Sequence, residues 1–485
     1  MSSKTFDFNG FLSVFTWRYG SEEMRRIFSE VHSRETWRKV WSALAEGQAA
    51  FGILSKDEVE DIRSKAKREY VDLDKAHELE RKIKHDVMAE LKVFAEQCRI
   101  GGGKLHLGAT SMDITDNADI IRFREALEII LGRVLNCLRL LCDKIIKYKD
   151  LPCMGWTHLQ PAEPTTLGYR FANYAQDLTI DVLIIENLLD NVLKGKGIKG
   201  AVGTSSSFTS LLGDHEKASS LEEEVMKRLG LPYYLVSTQT YPRKIDYLTL
   251  STLASVAQST HKFALDIRVL QSPVFGELSE PIGKMQVGSS AMPFKRNPVK
   301  SERICSLARY VSCLPSIAWS NASNTILERT LDDSANRRII IPEAFLAVDE
   351  CLMLYSEVLK GLNVYTEMVK RNLRRFGPFA GTEAILMKLS SRGMSRQEAH
   401  ERLRRHSFKA WEKVMAGEEN PLPEMLKRDP EITALVRSNE IDEALDPSKH
   451  VGDAPKRCEL FVEKVAKPIL DRYKGLIKSV ERTGF

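Results

Sequence analysis

The chain has 485 residues, of which 43% are hydrophobic, and its 71 basic and 66 acidic residues give a net charge of +5. Its length predicts about three domains, and its balanced charge argues against a nucleic-acid partner without opposing small anionic ligands. The N-terminus lacks an apolar signal segment and no uncharged apolar run reaches about 18 residues, so secretion and membrane insertion are disfavoured.

The eight cysteines form no CxxC pair and show no Cys/His spacing typical of a metal site. This arrangement predicts reduced, mostly buried thiols and argues against structural zinc. We therefore expect a cytoplasmic protein without a bound metal.

Helical periodicity dominates the chain, and strand signals are scarce. The first hundred residues or so predict shorter helices that end near a glycine hinge at residues 101–103. Longer amphipathic segments follow at residues 117–148, 165–193, 245–271, 299–318 and 342–362. The pattern shortens again beyond residue 366. These features predict an all-α protein with a central long-helix bundle, divided into domains at residues 1–111, 112–364 and 365–485.

Two polar clusters lie in the N-terminal domain. Arg18 and Tyr19, in TWRYG, offer a guanidinium fork and a hydroxyl for an anion, although an ordinary surface pair is the alternative. His85, in KHDV, and His106, in HLGATS, flank a turn with hydroxyls at residues 110–111. Either histidine alone would be more typical of a structural role, but their combination with the hydroxyls favours a site.

Two further clusters lie in the central domain. His158, in GWTHLQPAEPTT, stands just before prolines that delay the next helix, so we expect it at a helix mouth and not on a buried face. The segment ERTLDDSANRR, at residues 328–338, carries Arg329, Ser334 and Arg338. A solvated, salt-bridged helix start and an anion site explain this segment equally well.

The segment at residues 273–298 is the most informative part of the chain, because four prolines and three glycines interrupt any helix there. Such a long irregular segment inside a compact protein is typical of a lid or a binding loop. It contains GSSAMPFKRNP, in which Ser289 and Ser290 precede Lys295. A hydroxyl near a fixed positive charge could form an activated alkoxide, and a solvated Gly-Ser turn is the alternative.

This segment resembles the GSSxMPxKxNP loop of the fumarase/aspartase superfamily, whose members eliminate fumarate from succinyl-type substrates. Within the superfamily, the chain is similar to the adenylosuccinate lyase family at WRYGSEEM, HDV, HLGATS, TH-Q-PA, TQTYPRK, LDDSANRR and SRQEAHE. The LDDSANRR segment is the most particular to that family. One departure is Lys84, which precedes the His-Asp pair where related sequences can carry Arg.

The resemblance implies a carbon–nitrogen lyase of purine nucleotide biosynthesis. Its expected reactions release fumarate from adenylosuccinate to give AMP, and from the succinyl-carboxamide ribotide SAICAR to give AICAR. The resemblance also implies a three-domain fumarase/aspartase-like fold and a homotetramer with a helical core, in which each site takes segments from three chains. No cofactor is implied, because side chains supply the acid, the base and the positive charge.

The resemblance also implies roles for individual residues. Ser289 is the general base, with Ser290 as the alternative, and His158 is the general acid that protonates the departing nitrogen. Glu302 pairs with that histidine, although it would also suit the first turn of the following helix as a capping residue. The other implied catalytic residues are His85 and Lys295. The implied substrate-binding residues are Arg18, Tyr19, Lys84, Asp86, Thr110, Ser111, Gln239, Asn297, Arg303, Arg329, Ser334 and Arg338.

Two alternatives make different demands on the sequence. A helical scaffold or crystallin-like relic without activity should have lost Ser289, Lys295 or His158, and all of them are present. An argininosuccinate lyase would bind a cationic guanidino group, which the arginines of the predicted site would repel. The sequence therefore favours a substrate that carries a nucleotide phosphate.

Overall fold

The structure, a computed structural model, describes residues 8–283, 285 and 287–477. Helices dominate this part of the chain, which confirms the all-α prediction. The first helices are α1 Glu22–Ile27, α2 Glu30–Ala50, α3 Lys56–Lys65, α4 Leu73–Ile83 and α5 Asp86–Gln97. They are followed by α6 Ser111–Tyr148, α7 Leu167–Asn187, α8 Ser206–Leu212, α9 His215–Leu229, α10 Lys244–Gln271, α11 Val299–Ser323 and α12 Asp333–Gly361.

The remaining helices are shorter, as predicted. They are α13 Thr366–Phe376, α14 Thr382–Ser391, α15 Arg396–Met415, α16 Leu422–Lys427, α17 Pro430–Thr433, α18 Ser438–Leu445, α19 Ala454–Phe461 and α20 Lys467–Arg472. The strands form two antiparallel pairs, β1 Pro152–Thr157 with β2 Gln160–Thr166 and β3 Leu278–Ser279 with β4 Asn363–Val364. Within the described ranges, no helix is both long and apolar enough to cross a membrane.

The predicted long helices are present, but some of their ends differ. α6 begins at Ser111 and not at residue 117, and α11 continues to Ser323. α12 begins at Asp333, so Pro342 lies inside this helix and is not its first residue. Pro315 lies inside α11 in the same way. A proline inside a helix removes one backbone hydrogen bond, and burial of apolar side chains along these long helices offsets that loss.

Contacts divide the chain into two compact units. Unit 1 contains the described residues of Met1–Arg133, Asp181–Gln258 and Ser306–Leu352, and unit 2 contains those of Val134–Ile180, Ser259–Cys305 and Met353–Phe485. The helices α6, α7, α10, α11 and α12 contribute residues to both units. The division into three domains at residues 1–111, 112–364 and 365–485 stays a prediction.

Apolar burial in both units follows the helical periodicity. On α10, the side chains of Ile245, Leu253 and Val256 are buried in unit 1, and those of Ala264 and Ile267 are buried in unit 2. In unit 2, the rings of Phe263 and Tyr355 stack with their centroids 3.9 Å apart. Seven of the eight cysteines are buried and Cys313 is exposed, as predicted.

The glycines at residues 101–103 form a packed turn and not the predicted hinge. Gly101 and Gly102 are buried. A Cβ atom on Gly101 would lie 2.5 Å from the carbonyl oxygen of Glu58, and one on Gly102 would lie 2.1 Å from that of Ala95. Nothing lies within 4 Å of the corresponding position at Gly103. Glycine is therefore required at this turn by close contact with neighbouring backbone.

We predict that Gly102→Ala destabilises the protein by about 1–3 kcal/mol, because neighbouring backbone must move to accommodate the methyl group. The matched control Gly103→Ala should stay within about 0.5 kcal/mol of the original chain, because its position is open. Urea unfolding of the two variants checks this difference. Equal stabilities would contradict the close packing described here.

Candidate active site

The TWRYG segment is fixed against α12 in unit 1. The backbone N–H of Gly20 donates to Glu350 at 3.2 Å, and that of Ser21 donates to Asp349 at 2.7 Å. Gly20 has φ +81°, and a Cβ atom there would lie 2.6 Å from a side-chain carbon of Leu346. Glycine permits both this backbone conformation and this close approach.

Two aromatic rings flank the guanidinium group of Arg18. This group lies 5.5 Å from the ring centroid of Trp17 and 5.8 Å from that of Tyr19. Cation–π attraction to both rings favours this placement. Because Arg18 itself is exposed, it offers a partly oriented positive charge to an anion.

The KHDV segment joins two helices and reaches α12. Lys84 ends α4 in the left-handed conformation, and the Nδ1 atom of His85 accepts a hydrogen bond from the N–H of Met88 at 3.3 Å. The Nε2 atom of His85 therefore carries the ring proton when the imidazole is neutral. Asp86 accepts a hydrogen bond from Arg338 at 2.7 Å. The structure thus brings together KHDV and LDDSANRR, which the sequence analysis selected separately.

A buried carboxylate holds the turn that presents residues 110–111. Asp113 accepts hydrogen bonds from the backbone N–H of Thr110 at 2.8 Å, of Lys199 at 3.0 Å and of Gly200 at 3.1 Å, and it forms an ion pair with Lys196. Asp113 and Lys196 are fully buried. The sequence analysis missed both residues, although the Thr-x-x-Asp spacing of a helix start was an available signal for the carboxylate.

His106 is half-buried at this turn. Its Nδ1 atom accepts a hydrogen bond from the indole N–H of Trp41 at 3.0 Å. Burial lowers the pKa of His106 below its ordinary value, so the neutral imidazole is favoured. This geometry agrees with a structural role for the histidine in HLGATS.

The LDDSANRR segment is anchored by buried ion pairs and is not a solvated helix start. Asp333 accepts hydrogen bonds from Arg243 at 2.8 Å and from Arg329 at 2.9 Å, and Arg243 also reaches Asp116 of α6 at 3.2 Å. Burial alone would raise the pKa of Asp333, but the guanidinium groups around it, led by that of Arg243, hold it below its ordinary value. One Nη atom of the predicted ligand Arg329 is therefore directed to a structural bond.

Another arginine with a mostly buried side chain, Arg337, lies on α12. Arg337 donates to Asp246 at 2.7 Å and to the hydroxyl of Tyr241 at 2.6 Å, and it lies 3.4 Å from Asp119. Its neighbour Arg338 has a side chain that is 68% exposed. Arg337 thus has a structural role, whereas Arg338 remains exposed although it pairs with Asp86 at 2.7 Å. The sequence analysis did not identify the structural role of Arg243 or Arg337.

The remaining predicted residues of unit 1 lie next to these anchors. The backbone N–H of Gln239 donates to the carbonyl oxygen of Glu328 at 3.3 Å, which places TQTYPRK beside Arg329. The backbone N–H of Ser334 donates to Leu331 at 3.1 Å in the first turn of α12. Backbone contacts therefore connect the segments of Gln239, Arg329 and Ser334.

His158 lies at the tip of a β-hairpin, so the prediction of a helix mouth is wrong. Thr157 pairs with Gln160, and the two-residue turn between them has φ +54° at His158 and +58° at Leu159. Two positive φ values are characteristic of a type I′ hairpin turn. The prolines that follow belong to a short two-stranded ribbon, where strand edges tolerate them. The expected exposure of His158 is confirmed.

The loop at residues 273–298 carries Ser289 in a local hydrogen-bonded turn of unit 2. The Oγ atom of Ser289 accepts hydrogen bonds from the backbone N–H of Met292 at 3.2 Å and of Ala291 at 3.4 Å. The amide of Asn297 donates to the carbonyl oxygen of Gly288 at 3.0 Å, next to this serine. Lys295 is exposed on the same loop.

Glu302 lies in the first turn of α11, which directly follows this loop, and Arg303 is the next residue. The backbone N–H of Glu302 donates to Pro298 at 2.9 Å, and its side chain is exposed. The negative charge of Glu302 suits this first turn, as predicted, and the carboxylate of Glu280 accepts hydrogen bonds from the N–H groups of Lys300 and Ser301 at the same helix start. The carboxylate of Glu302 thus faces solvent at the helix start.

The predicted site residues fall into two sets. Those of the loop and of the hairpin belong to unit 2, namely His158, Ser289, Lys295, Asn297, Glu302 and Arg303, and all the others belong to unit 1. In the part of the chain that the structure describes, no hydrogen bond or ion pair joins His158 to Ser289 or Glu302. The same described residues contain no group of three or more His, Cys, Asp or Glu side chains that could hold a metal ion.

Comparisons with known families and proteins identify relatives of this chain. A family described as Lyase matches residues 19–312, and one described as Adenylosuccinate lyase C-terminus matches residues 378–461. The adenylosuccinate lyase of Schistosoma mansoni is 40% identical, over 97% of this chain and 98% of that protein. The adenylosuccinate lyase of Saccharomyces cerevisiae is 41% identical, over 94% of this chain and 95% of that protein.

Solved structures share the fold. A fumarate lyase from Mesorhizobium sp. BNC1 superposes with a TM-score of 0.80 at 25% identity, covering 91% of this chain and 97% of that one. The 3-carboxy-cis,cis-muconate lactonizing enzyme from Pseudomonas putida superposes with a TM-score of 0.81 at 26% identity, covering 92% and 97%. These similarities confirm the predicted fumarase/aspartase-like fold. Together with the sequence relatives, they show that the chain is a lyase that belongs to the adenylosuccinate lyase family.

Proposed function

We propose that this enzyme eliminates fumarate from adenylosuccinate to leave AMP, and from SAICAR to leave AICAR, with Ser289 as the general base and His158 as the general acid. In this reaction the base removes a proton from the carbon next to a carboxylate of the succinyl group. The electron pair of that C–H bond forms the double bond of fumarate as the C–N bond breaks. The acid then protonates the departing nitrogen.

The difficult step is the removal of a weakly acidic proton. The resulting carbanion adds negative charge beside a carboxylate, so the site must supply positive charge and hydrogen-bond donors. Lys295 and Asn297 follow Ser289 on the same loop and supply these groups. A well-placed donor of this kind contributes about 3–4 kcal/mol to transition-state stabilisation.

The observation that carries the assignment of the base is the surroundings of the Ser289 hydroxyl. Two backbone N–H groups, those of Ala291 and Met292, donate to its oxygen. They would stabilise the negative charge of an alkoxide before it takes the substrate proton. Ser290 is exposed at the neighbouring position and shows no comparable bonds among the described residues. This difference favours Ser289 over Ser290.

The nucleotide end of the substrate would bind to the set of unit 1. Arg18 is exposed and flanked by aromatic rings, and Arg338 is exposed while its position is fixed by Asp86. Two fixed guanidinium groups suit a phosphate. Buried carboxylates pair with Arg243 and Arg337, whereas Arg338 pairs with Asp86 and keeps an exposed side chain, and Arg18 is exposed. Lys84, His85, Thr110, Ser111, Gln239 and Ser334 would complete the contacts.

We further propose a cytoplasmic homotetramer in which each site takes residues from three chains. On α7, Ile180, Leu183 and Ile184 are 47%, 60% and 36% exposed, and their spacing places them on one helix face. Such an exposed apolar face is typical of a helix that packs against another chain. His158 at an exposed hairpin tip could then meet Ser289 and Glu302 of other chains.

We predict that Ser289→Ala abolishes turnover of adenylosuccinate while fold and assembly stay intact. The hydroxyl lies on a surface loop, so its loss should change stability by no more than about 0.5 kcal/mol. Ser290→Ala, one residue away, is the matched control and should keep most of the activity. If Ser289→Ala kept its turnover and Ser290→Ala lost it, Ser290 would be identified as the base.

A second prediction concerns the shared site. Inactive His158→Gln and inactive Ser289→Ala proteins, mixed and reassembled after mild dissociation, should regain activity, because some sites then combine both original residues. Each variant taken alone through the same procedure is the control. Differently tagged subunits verify the exchange. Complete exchange without recovery would mean that each chain supplies both residues to its own site.

A further inference from the structure

A buried carboxylate, that of Glu280, fixes the base of the loop that carries Ser289. Glu280 is fully buried. Its carboxylate accepts from the backbone N–H of Lys300 at 3.0 Å, from that of Ser301 at 3.0 Å and from the hydroxyl of Ser301 at 3.0 Å. All of these partners are donors, and they lie where a helix leaves N–H groups without intrahelical acceptors. Glu280 thus joins the first part of the loop to the start of α11.

Gln271, the last residue of α10, provides a second connection at the same place. Its side-chain oxygen accepts from the backbone N–H of Glu280 at 3.0 Å, and its amide donates to the carbonyl oxygen of Arg296 at 2.9 Å. The ammonium group of Lys300 also donates to the carbonyl oxygen of Pro281 at 2.9 Å. Both sides of the loop are therefore bonded to each other where it leaves the helices.

The position of Glu280 is itself fixed by neighbouring backbone. It directly follows β3, which pairs with β4, and the amide of Asn363 in β4 donates to the hydroxyl of Ser279 at 3.1 Å. A Cβ atom on Gly361 would lie 2.5 Å from the side chain of Pro281. This close packing leaves little room for the segment of Glu280 to move.

We propose that Glu280 is a positioning residue of the lyase reaction. By joining the loop to the first turn of α11, its carboxylate fixes Ser289 and Lys295 on one side relative to Glu302 on the other. Glu280 acts through these residues, because its own side chain is buried and does not reach solvent. This inference rests on the proposed roles of Ser289 and Lys295.

The test is Glu280→Gln in the full-length chain. The amide would place its own N–H group against donors, so at least one bond at the helix start is lost while the side-chain size is kept. A misplaced base should lower kcat about 10- to 100-fold, and KM should change by less than about threefold, because the substrate-binding groups stay in place. The primary deuterium isotope effect on kcat, measured with substrate deuterated at the carbon that loses its proton, should increase.

Two companion variants make this test specific. Glu357→Gln is the matched control, because the carboxylate of Glu357 lies 3.5 Å from the ammonium group of Lys300 but is 57% exposed, and it should leave kcat unchanged. Ser301→Ala removes a single donor to Glu280 and should lower kcat by a smaller factor than Glu280→Gln, with the same direction of isotope effect. This milder variant provides the readout if Glu280→Gln fails to fold.

Unchanged kcat and isotope effect in both Glu280→Gln and Ser301→Ala would overturn the inference. A fall in kcat with an unchanged isotope effect would also overturn it, because it would indicate fewer folded sites and not a misplaced base. If Ser289→Ala is inactive while Glu280→Gln has normal kcat and a normal isotope effect, only the positioning role is refuted. If Glu280→Gln is slow while Ser289→Ala stays active, Ser289 is not the base. That result would still support a positioning role of Glu280 for the rest of the loop.

Discussion

Buried pairs of guanidinium and carboxylate groups fix the part of unit 1 that carries the proposed substrate-binding residues. Arg243 bonds to Asp116 of α6 and to Asp333 of α12, and it precedes the first residue of α10, so one side chain sets the positions of three helix starts. Removing one partner of such a buried pair typically costs about 3–5 kcal/mol, because the other charge remains buried without compensation. The start of α12, which carries the exposed Arg338, therefore cannot shift without a large energetic cost. That rigidity suits the proposed binding of a phosphate in one orientation.

In unit 2 as well, buried side chains fix the position of exposed ones. The carboxylate of Glu280 accepts hydrogen bonds from donors at the start of α11, while Ser289 and Lys295 lie on the loop that follows Glu280. Glu277, also fully buried, pairs with Arg170 at 2.8 Å and accepts from Asn372 at 3.0 Å. Buried carboxylates thus fix backbone and side chains in this part of unit 2, and Glu280 does so at the base of the loop that carries Ser289. Precise positions in an exposed loop require this kind of support, since the loop contributes little burial of its own.

The helices were predictable from sequence because apolar periodicity is local, and α10 was located to within one residue at each end. The hairpin at His158 was not, because its strands are short and contain prolines, and its turn has positive φ at two residues, His158 and Leu159, that are neither Gly nor Asn. Pairs such as Asp113 with Lys196 join residues 83 positions apart, and no local pattern records them. The roles of the site residues that were selected from motifs stay predictions. The structure explains which contacts fix several of these residues.

The direct test of the proposed reaction is an assay of the purified full-length chain with adenylosuccinate and, separately, with argininosuccinate. We expect adenylosuccinate to yield fumarate and AMP in equal amounts, with the change in purine absorbance as the readout. We expect argininosuccinate to yield no fumarate. The two substrates share the succinyl group that is eliminated and differ in the group left behind. Fumarate released from argininosuccinate, or no turnover of adenylosuccinate by folded protein, would contradict the account.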